Sequence, residues 1–201
     1  MLGIAAVILA AGESSRMGQP KALLLWRGFP LIRYQSAAMI QAGASSVIVV
    51  LGHNSDVIAP HVLVSDTLQI AINPDYTEGK TTSIRLGISN VSNDVDGILL
   101  LAVDQPRPPD LMRYVIEEHQ RSGALITHPT HNGRGGHPII FDGSLKQELL
   151  AITEENQGIR EVVARHHKDI YTVPVDSPIA RIDLNTMDDY VKAFREFGVE
   201  S

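Results

Sequence analysis

The sequence predicts an α/β fold: a Rossmann-like, doubly wound structure in which helices cover both faces of a mainly parallel sheet. Short apolar runs alternate with segments of helical length along most of the 201 residues. The apolar runs are continuous, as expected for strands that are buried on both faces. Ligands of such folds bind outside the carboxyl ends of the strands, so the loops that follow strands are the first places to look for a site.

The elements follow one another in a regular order. The predicted strands are residues 4–9, 46–51, 67–72, 97–103, 124–127, 138–141 and 170–173. The predicted helices are residues 30–42, 82–90, 108–121, 144–152, 158–167 and 186 to about 197. Thr186, with Asp189 three residues later, fits a capping box at the start of the last helix. Segment 128–137, rich in histidine and glycine, is predicted to be a loop.

Composition and charge exclude several classes of protein. With 44% hydrophobic and 20% charged residues, we expect one globular domain over residues 1–201. Seventeen Lys and Arg against 23 Asp and Glu give a net charge of −6, which argues against a nucleic-acid partner. The absence of cysteine is compatible with a reducing cytoplasm, where we expect the protein. The apolar stretch 2–11 is too short to span a membrane and follows no basic residue, so neither a membrane anchor nor a signal peptide is expected.

The loop after the first predicted strand carries the most informative pattern. Residues 9–21 read Leu-Ala-Ala-Gly-Glu-Ser-Ser-Arg-Met-Gly-Gln-Pro-Lys. The small residues let a ligand approach the main chain, and Gly12 can adopt backbone angles that other residues avoid. Arg16 and Lys21 add a forked and a compact cation, which together suit a polyphosphate. Taken alone, the pattern also fits a tight turn with solvated charges.

A carboxylate follows the predicted strand 97–103. Asp104 comes directly after this apolar run, and the prolines that follow it prevent the strand from continuing. At the edge of the sheet, such a carboxylate is a hard oxygen ligand for Mg²⁺, which usually takes few protein ligands beside phosphate oxygens and water. The alternative role for Asp104 is to cap the helix that begins near residue 108.

Six motifs together resemble one known family. Residues 9–21 match Leu-Ala-Ala-Gly-x-Ser-x-Arg-Met-Gly-x-x-Lys, a signature of nucleotidyltransferases similar to molybdenum-cofactor cytidylyltransferase and molybdopterin-guanine dinucleotide synthase. The other motifs follow in the family's order: Asn73-Pro-x-Tyr-x-x-Gly79-x-x-x-Ser83-Ile-x-x-Gly87, Asp104-Gln-Pro, Gly136-His-Pro-x-x-Phe141, Gly158-x-Arg160 and Asp183-x-Asn-Thr186. The resemblance covers nearly the whole chain and is closest to the cytidylyltransferase branch.

This resemblance implies a nucleotide-diphospho-sugar transferase-like fold and an enzyme that needs Mg²⁺. The resemblance implies catalytic roles for Lys21, Arg16 and Asp104. It also implies which residues contact the nucleotide: Leu9, Ala10, Ala11, Gly12, Ser15, Arg16, Lys21, Gly79 and Ser83. The residues that it implies for binding the acceptor are His137 and Pro138. As the second metal ligand beside Asp104 it implies Asp183 or Asn185. Alternation in an extended segment places both of these side chains on one side, so the sequence does not choose between them.

The resemblance also implies the substrates. CTP would donate CMP to molybdopterin that carries molybdenum, pyrophosphate would leave, and a molybdoenzyme would receive the product. The alternatives are cytidylyl or guanylyl transfer to another small phosphate, such as a phosphosugar or a polyol phosphate, and a module that binds a nucleotide or pterin without turnover. Guanylyl-transferring relatives typically have Gly where Ala11 stands, so we expect the Ala11 methyl group to narrow the base pocket and favour CTP.

Three other patterns are rejected as sites. Gly79-Lys-Thr-Thr82 ends like a phosphate-binding P-loop, but Pro74 stands where that motif needs its first glycine. Thr82 or Ser83 is instead expected to cap or open a helix. In Gly133-Arg-Gly-Gly136, Pro138 occupies the third glycine position of a dinucleotide fingerprint. The histidines of segment 128–137 lack the helical spacing of a metal site.

Overall fold

An eight-stranded, mainly parallel sheet organises residues 3–199, the part of the chain that the computed structural model describes; of Arg16 it describes only the main chain. The ten strands are β1 (Ile4–Ala10), β2 (Leu25–Trp26), β3 (Phe29–Pro30), β4 (Ser46–Leu51), β5 (Leu68–Ile72), β6 (Gly97–Ala102), β7 (Ile126–His131), β8 (Arg134–Gly135), β9 (Ile139–Asp142) and β10 (Ile170–Pro174). The main sheet has the order β10-β7-β9-β6-β1-β4-β5, with β8 beside β7. Strands β2 and β3 form a separate antiparallel hairpin.

Helices cover both faces of this sheet. They are α1 (Leu31–Gln41), α2 (Ser55–Ile58), α3 (Lys80–Ser89), α4 (Pro109–Ser122), α5 (Lys146–Leu150), α6 (Ile159–Arg165) and α7 (Met187–Ala193). Alternate residues of β1 enter two different cores: one lies against α1, α4 and α7, and the other lies against α3, α5 and α6. This arrangement confirms the predicted fold class. Within residues 3–199, no helix combines the length and apolar character needed to cross a membrane.

Strand register brings distant loops together at one edge. Strands β4 and β6 both run parallel to β1, and β5 runs parallel to β4, so these four strands end at the same side of the sheet. Ala102, at the end of β6, lies opposite Leu9 in β1. The loop after β1 and the loop that carries Asp104 are therefore neighbours, although about ninety residues of chain separate them.

The prediction of a loop over residues 128–137 is wrong. Strand β7 continues to His131, and a tight turn returns the chain into β8. Asn132 and Gly133 both have positive φ, at 51° and 71°, as a two-residue hairpin turn requires. The dipeptide Asn132-Gly133 is the sequence signal for such a turn. Strand β9 then inserts antiparallel between β6 and β7.

The start of the last helix is as predicted. The Thr186 hydroxyl oxygen accepts a hydrogen bond from the Asp189 main-chain N–H at 3.1 Å, and the Asp189 carboxylate accepts one from the Thr186 N–H at 2.9 Å. Asp therefore serves in a capping box that more often uses Glu or Gln. Helix α7 is shorter than expected because a π-helical turn over residues Phe194–Gly198 replaces its last part.

Candidate active site

A cavity of about 340 Å³ opens at the carboxyl ends of β1 and β6. Its wall includes Leu9, Ala10, Ala11, Gly12, Ser15, Lys21, Gly79, Ser83, Asp104 and Asn185, all of them expected from the sequence. Tyr76, a position of the family motif to which no role was assigned, and Lys80 also line it. For Arg16, the remaining expected nucleotide contact, the side chain lies outside the described part of the structure.

The left-handed backbone angles of the loop after β1 fall on residues other than Gly12. Gly12 does not have a positive φ, so the conformational freedom that glycine offers is not used there. Its contribution is open space, because a Cβ atom at this position would meet nothing within 4 Å. Ser14 and Gly18 take the positive φ values instead, at 54° and 67°. The Ser14 hydroxyl oxygen accepts a hydrogen bond from the Lys21 N–H at 3.1 Å, which closes the loop.

Lys21 and Asp104 form an ion pair inside the cavity. The Lys21 Nζ lies 2.6 Å from the Asp104 Oδ2, and the two side chains are 14% and 23% exposed. Asp104 does not cap the helix after it: α4 begins without any side-chain cap. The main chain of Asp104 is also tied down, since its carbonyl oxygen accepts a hydrogen bond from the Leu184 N–H at 2.8 Å.

The start of α3 forms the opposite wall. Gly79 has φ of 124°, a value that side chains rarely tolerate, and α3 begins at Lys80. The expectation that Thr82 or Ser83 caps or opens this helix is therefore wrong. The first turn is capped from a distance instead: the Glu154 carboxylate accepts a hydrogen bond from the Thr81 N–H at 2.6 Å.

Ser83 is buried and held by a buried amide. The Asn73 Nδ2 donates to the Ser83 hydroxyl oxygen at 2.9 Å and to the Thr82 hydroxyl oxygen at 2.9 Å. Asn73 is in turn fixed by its Oδ1, which accepts a hydrogen bond from the Asp75 N–H. Because Asn73 donates to the oxygen of Ser83, the hydroxyl hydrogen of Ser83 is left to donate to another group.

Ala11 packs against two residues that its own loop does not contain. A Cβ atom built on Gly52 would lie 2.9 Å from the Ala11 Cβ and 2.8 Å from the Tyr76 Cβ. The Ala11 carbonyl oxygen accepts a hydrogen bond from the His53 N–H at 3.1 Å. The position of the Ala11 methyl group therefore depends on the absence of a side chain at residue 52, a dependence that no local sequence pattern signals.

Asp183 and Asn185 have different surroundings. Asn185 lines the cavity with Asp104, and Asp183 does not. The Asp183 Oδ1 accepts a hydrogen bond from the Gln105 Nε2 at 3.0 Å, and its main-chain carbonyl accepts one from the Asn185 N–H at 3.0 Å. That tight turn replaces the extended geometry on which the expectation of two equivalent side chains rested.

The oxygen donors of this cavity fit Mg²⁺ or a similar hard divalent ion. Asp104 supplies a carboxylate and Asn185 an amide, and both belong to the same wall. Within the described part of the chain, no group of three or more His, Asp and Glu residues is arranged to hold a metal ion. The donor set therefore suits an ion that completes its coordination with phosphate oxygens and water, as Mg²⁺ usually does.

His137 and Pro138 lie outside this wall. The peptide bond between them is cis, the His137 N–H donates to the Ala180 carbonyl at 2.8 Å, and the His137 carbonyl accepts from the Arg107 Nε at 2.9 Å. Burial first, and then the positive charges of Arg107 and Lys80, lower the pKa of His137 to about 4. The imidazole is therefore neutral near pH 7. Its Nδ1 is buried and has no hydrogen-bond partner among residues 3–199.

A known family matches most of the chain. The family described as "MobA-like NTP transferase domain" matches residues 6–181. The Escherichia coli (strain K12) protein "Molybdenum cofactor cytidylyltransferase" is 29% identical over 194 residues, which cover 96% of each chain. The Paenarthrobacter nicotinovorans protein "Nicotine blue oxidoreductase" is 26% identical over 78% of this chain and 79% of its own.

The fold also matches solved structures. The crystal structure of Rv0371c from Mycobacterium tuberculosis H37Rv superposes with a TM-score of 0.84 at 26% identity, over 96% of this chain and 98% of that one. The names of the two sequence relatives describe different reactions. The comparisons thus agree on the family and the fold, and leave the substrates to be argued from the site.

Proposed function

The chain belongs to the MobA-like NTP transferase family of nucleotidyltransferases, and from this premise we propose that it transfers CMP from CTP to molybdopterin that carries molybdenum. An oxygen of the acceptor phosphate forms a bond to the α-phosphorus of CTP. The bond from that phosphorus to the bridging oxygen breaks, and pyrophosphate leaves. The observation that carries this proposal is the Lys21 and Asp104 pair, 2.6 Å apart in a cavity walled by the small residues after β1.

The residues of the cavity act by alignment and charge compensation, because the nucleophile belongs to the substrate. Lys21 holds the triphosphate and meets the charge that grows on its oxygens. Arg16 adds a second cation, a role that rests on the family signature. Asp104 and Asn185 hold Mg²⁺, which supplies Lewis-acid polarisation of the phosphate when it is bound. Without ligands, Lys21 and Asp104 compensate each other. With ligands, Lys21 would turn to the triphosphate, and Asp104 would be free to hold Mg²⁺.

Base selection depends on the wall made by Ala11, Tyr76 and Ser83. Ala11 is buried and lines the cavity together with Tyr76, and on this proposal its methyl group takes space that a purine would need. Ser83 has a hydroxyl hydrogen available for a base, since Asn73 already donates to its oxygen. Cytosine carries acceptors on its polar edge, and an unmatched base leaves buried partners without hydrogen bonds. These features support CTP as the donor.

The acceptor site is the less constrained half of the proposal. His137 and Pro138 contribute to it through the neutral imidazole and the loop that carries them, a role that rests on the family motif. The name of the E. coli relative supports molybdopterin as the acceptor. A phosphosugar or polyol phosphate uses the same chemistry and is the rival. A binding module without turnover is disfavoured because it needs neither Lys21 nor Asp104.

One experiment separates these possibilities. Purified protein is incubated with each of the four nucleoside triphosphates, Mg²⁺ and an acceptor panel of molybdenum-loaded pterin, phosphosugars and polyol phosphates. Pyrophosphate release is measured against reactions without acceptor. We expect release only with CTP and the molybdenum-loaded pterin. Faster release with another acceptor replaces the acceptor assignment, and no release with any pair contradicts the proposed activity.

A further inference from the structure

Arg107 is a fully buried cation directly behind the loop that carries Asp104. Its side chain is 0% exposed, and burial lowers its pKa to about 10, so the guanidinium keeps its charge. The Nη1 donates to the carbonyls of Pro106 at 3.0 Å and Ile182 at 2.8 Å. The Nε donates to the His137 carbonyl at 2.9 Å. One side chain thus joins the loop after β6, the turn before β9 and the segment that leads to Asn185.

A second set of contacts, made by α1, fixes the same loop. Gln35 of α1 is fully buried; its Nε2 donates to the Gln105 carbonyl at 2.6 Å, and its Oε1 accepts from the Arg107 N–H at 3.3 Å. The Gln105 side chain donates to the Asp183 Oδ1 at 3.0 Å. The same Oδ1 lies 3.9 Å from the Arg107 Nη2, which is buried and has no hydrogen-bond partner within the described residues.

We infer that Arg107 is a positioning residue for the metal site that the proposed function assigns to Asp104 and Asn185, and that Asp183 is the counter-ion of Arg107. This inference rests on the proposed function. A buried charge is costly without a partner, and moving the Asp183 carboxylate to a metal would take away the only carboxylate in contact with Arg107 among residues 3–199. The three carbonyl contacts need the flat fork of arginine, which lysine does not reproduce. Arg107 therefore sets the position of Asn185 through Ile182, and of His137 through its carbonyl.

The test measures Mn²⁺ binding in the presence of CTP by electron paramagnetic resonance, because Mn²⁺ is a visible substitute for Mg²⁺. The variants are Arg107→Lys, Asp183→Asn and Asn185→Ala. Lys146→Met is the matched control: it removes another buried cation, one that donates to Val91 and Asn93 on the other core. Thermal unfolding of each protein reports stability separately from metal binding.

We expect Arg107→Lys and Asn185→Ala to weaken Mn²⁺ binding about tenfold or more, as loss of outer-shell support for a metal ligand typically does. Asp183→Asn keeps an oxygen for Gln105, so it should change Mn²⁺ binding less than about threefold while it lowers the unfolding temperature. Lys146→Met should lower the unfolding temperature only.

Two results overturn the inference: Asp183→Asn losing Mn²⁺ binding that Asn185→Ala keeps, or Arg107→Lys binding Mn²⁺ as well as Lys146→Met does. If Arg107→Lys does not fold, the comparison of Asp183→Asn with Asn185→Ala decides. A wild-type protein that binds no Mn²⁺ with CTP and releases no pyrophosphate contradicts the proposed function itself, and the inference falls with it. If only the inference fails, the wild-type protein still binds Mn²⁺ with CTP and still releases pyrophosphate.

Discussion

Two pairs of cation and carboxylate lie at the same edge of the sheet and are built differently. Lys21 and Asp104 are in contact at 2.6 Å, and both line the cavity. Arg107 and Asp183 are 3.9 Å apart; the cation is fully buried and bonded to three carbonyls. The first pair can exchange partners with an incoming metal and triphosphate, because little else holds its side chains. The Arg107 guanidinium has no such freedom, because its contacts with three carbonyls hold it in place.

This difference separates a residue that binds the substrate, Lys21, from one that positions other groups, Arg107. A lysine ammonium is a compact charge on a flexible stem, so it can follow a phosphate that moves during the reaction. An arginine held by three carbonyls maintains one geometry at the cost of removing a charge from water. Substitutions in the first pair should therefore change activity with little effect on folding, and substitutions in the second should change both.

The largest expected effect is that of Asp104→Asn. The variant keeps the shape of the cavity and loses the only carboxylate that residues 3–199 place on its wall. We expect activity to fall about a thousandfold, the scale of several kcal/mol that a bound metal supplies to phosphoryl chemistry. Pyrophosphate release and thermal unfolding are measured together. Asp110→Asn, which alters an exposed carboxylate on α4, is the matched control and should behave as the wild type.

Asp104→Asn protein that is folded and fully active with Mg²⁺ would show that Asp104 is not the metal ligand. A large fall in the unfolding temperature of Asp104→Asn would show that Asp104, like Arg107, stabilises the fold. Either result would remove the distinction between the two pairs.

The next effect is that of Lys21→Ala. If the ammonium meets charge that grows in the transition state, kcat should fall about a hundredfold and KM for CTP should change little. Lys168→Ala, an exposed lysine far from the cavity wall, is the control. A raised KM with kcat unchanged would reassign Lys21 to substrate capture. Arg16→Ala should in addition weaken binding of the triphosphate.

His137 provides a test of stability on the fixed side of the site. Its pKa is lowered from 6.5 to about 4 in the folded protein, chiefly by burial. Between these values the unfolded chain binds a proton that the folded chain does not, so stability is full above pH 6.5 and is lost as the pH falls towards 4. We expect this loss to be on the order of 2 kcal/mol.

The measurement is chemical denaturation of the wild type and His137→Gln at several pH values across that window. The variant has no titrating ring at this position, so its free energy of unfolding should fall less between pH 6.5 and 4. Equal slopes in the two proteins would mean that the His137 ring is protonated as easily in the folded state as in the unfolded one.

The smallest effect is on the choice of donor. Ala11→Gly should reduce the preference for CTP over GTP about three- to tenfold, the scale of one methyl group in a pocket. Gly52→Ala should disturb the same wall, because its new Cβ would lie under 3 Å from Ala11 and Tyr76. The double variant should recover part of the lost CTP turnover, since Ala11→Gly removes the contact with the Ala11 methyl group, although the contacts with the Ala11 carbonyl oxygen and with Tyr76 remain. An unchanged ratio in all three variants would remove Ala11 from base selection.

Much of the fold could be predicted from local patterns. Strand 46–51 has the predicted bounds, β1 and β6 differ from the prediction at one end by one residue each, and the capping box of α7 forms as expected. These features depend on side chains close together in sequence: an apolar run buries itself on both faces, and a hydroxyl reaches an N–H three residues on. The cavity wall after β1 was predictable for the same reason, since parallel strands end at one edge.

The sequence by itself therefore determined the layer structure, the loop after β1 and the place of Asp104. Only the tertiary structure decided how Asp183 and Asn185 point, what Gly12 does and why Ala11 depends on Gly52. The reason is the distance along the chain over which these contacts act. Gln105 reaches Asp183 across 78 residues and Arg107 reaches Ile182 across 75, and no local pattern encodes hydrogen bonds that exist only after the sheet has assembled.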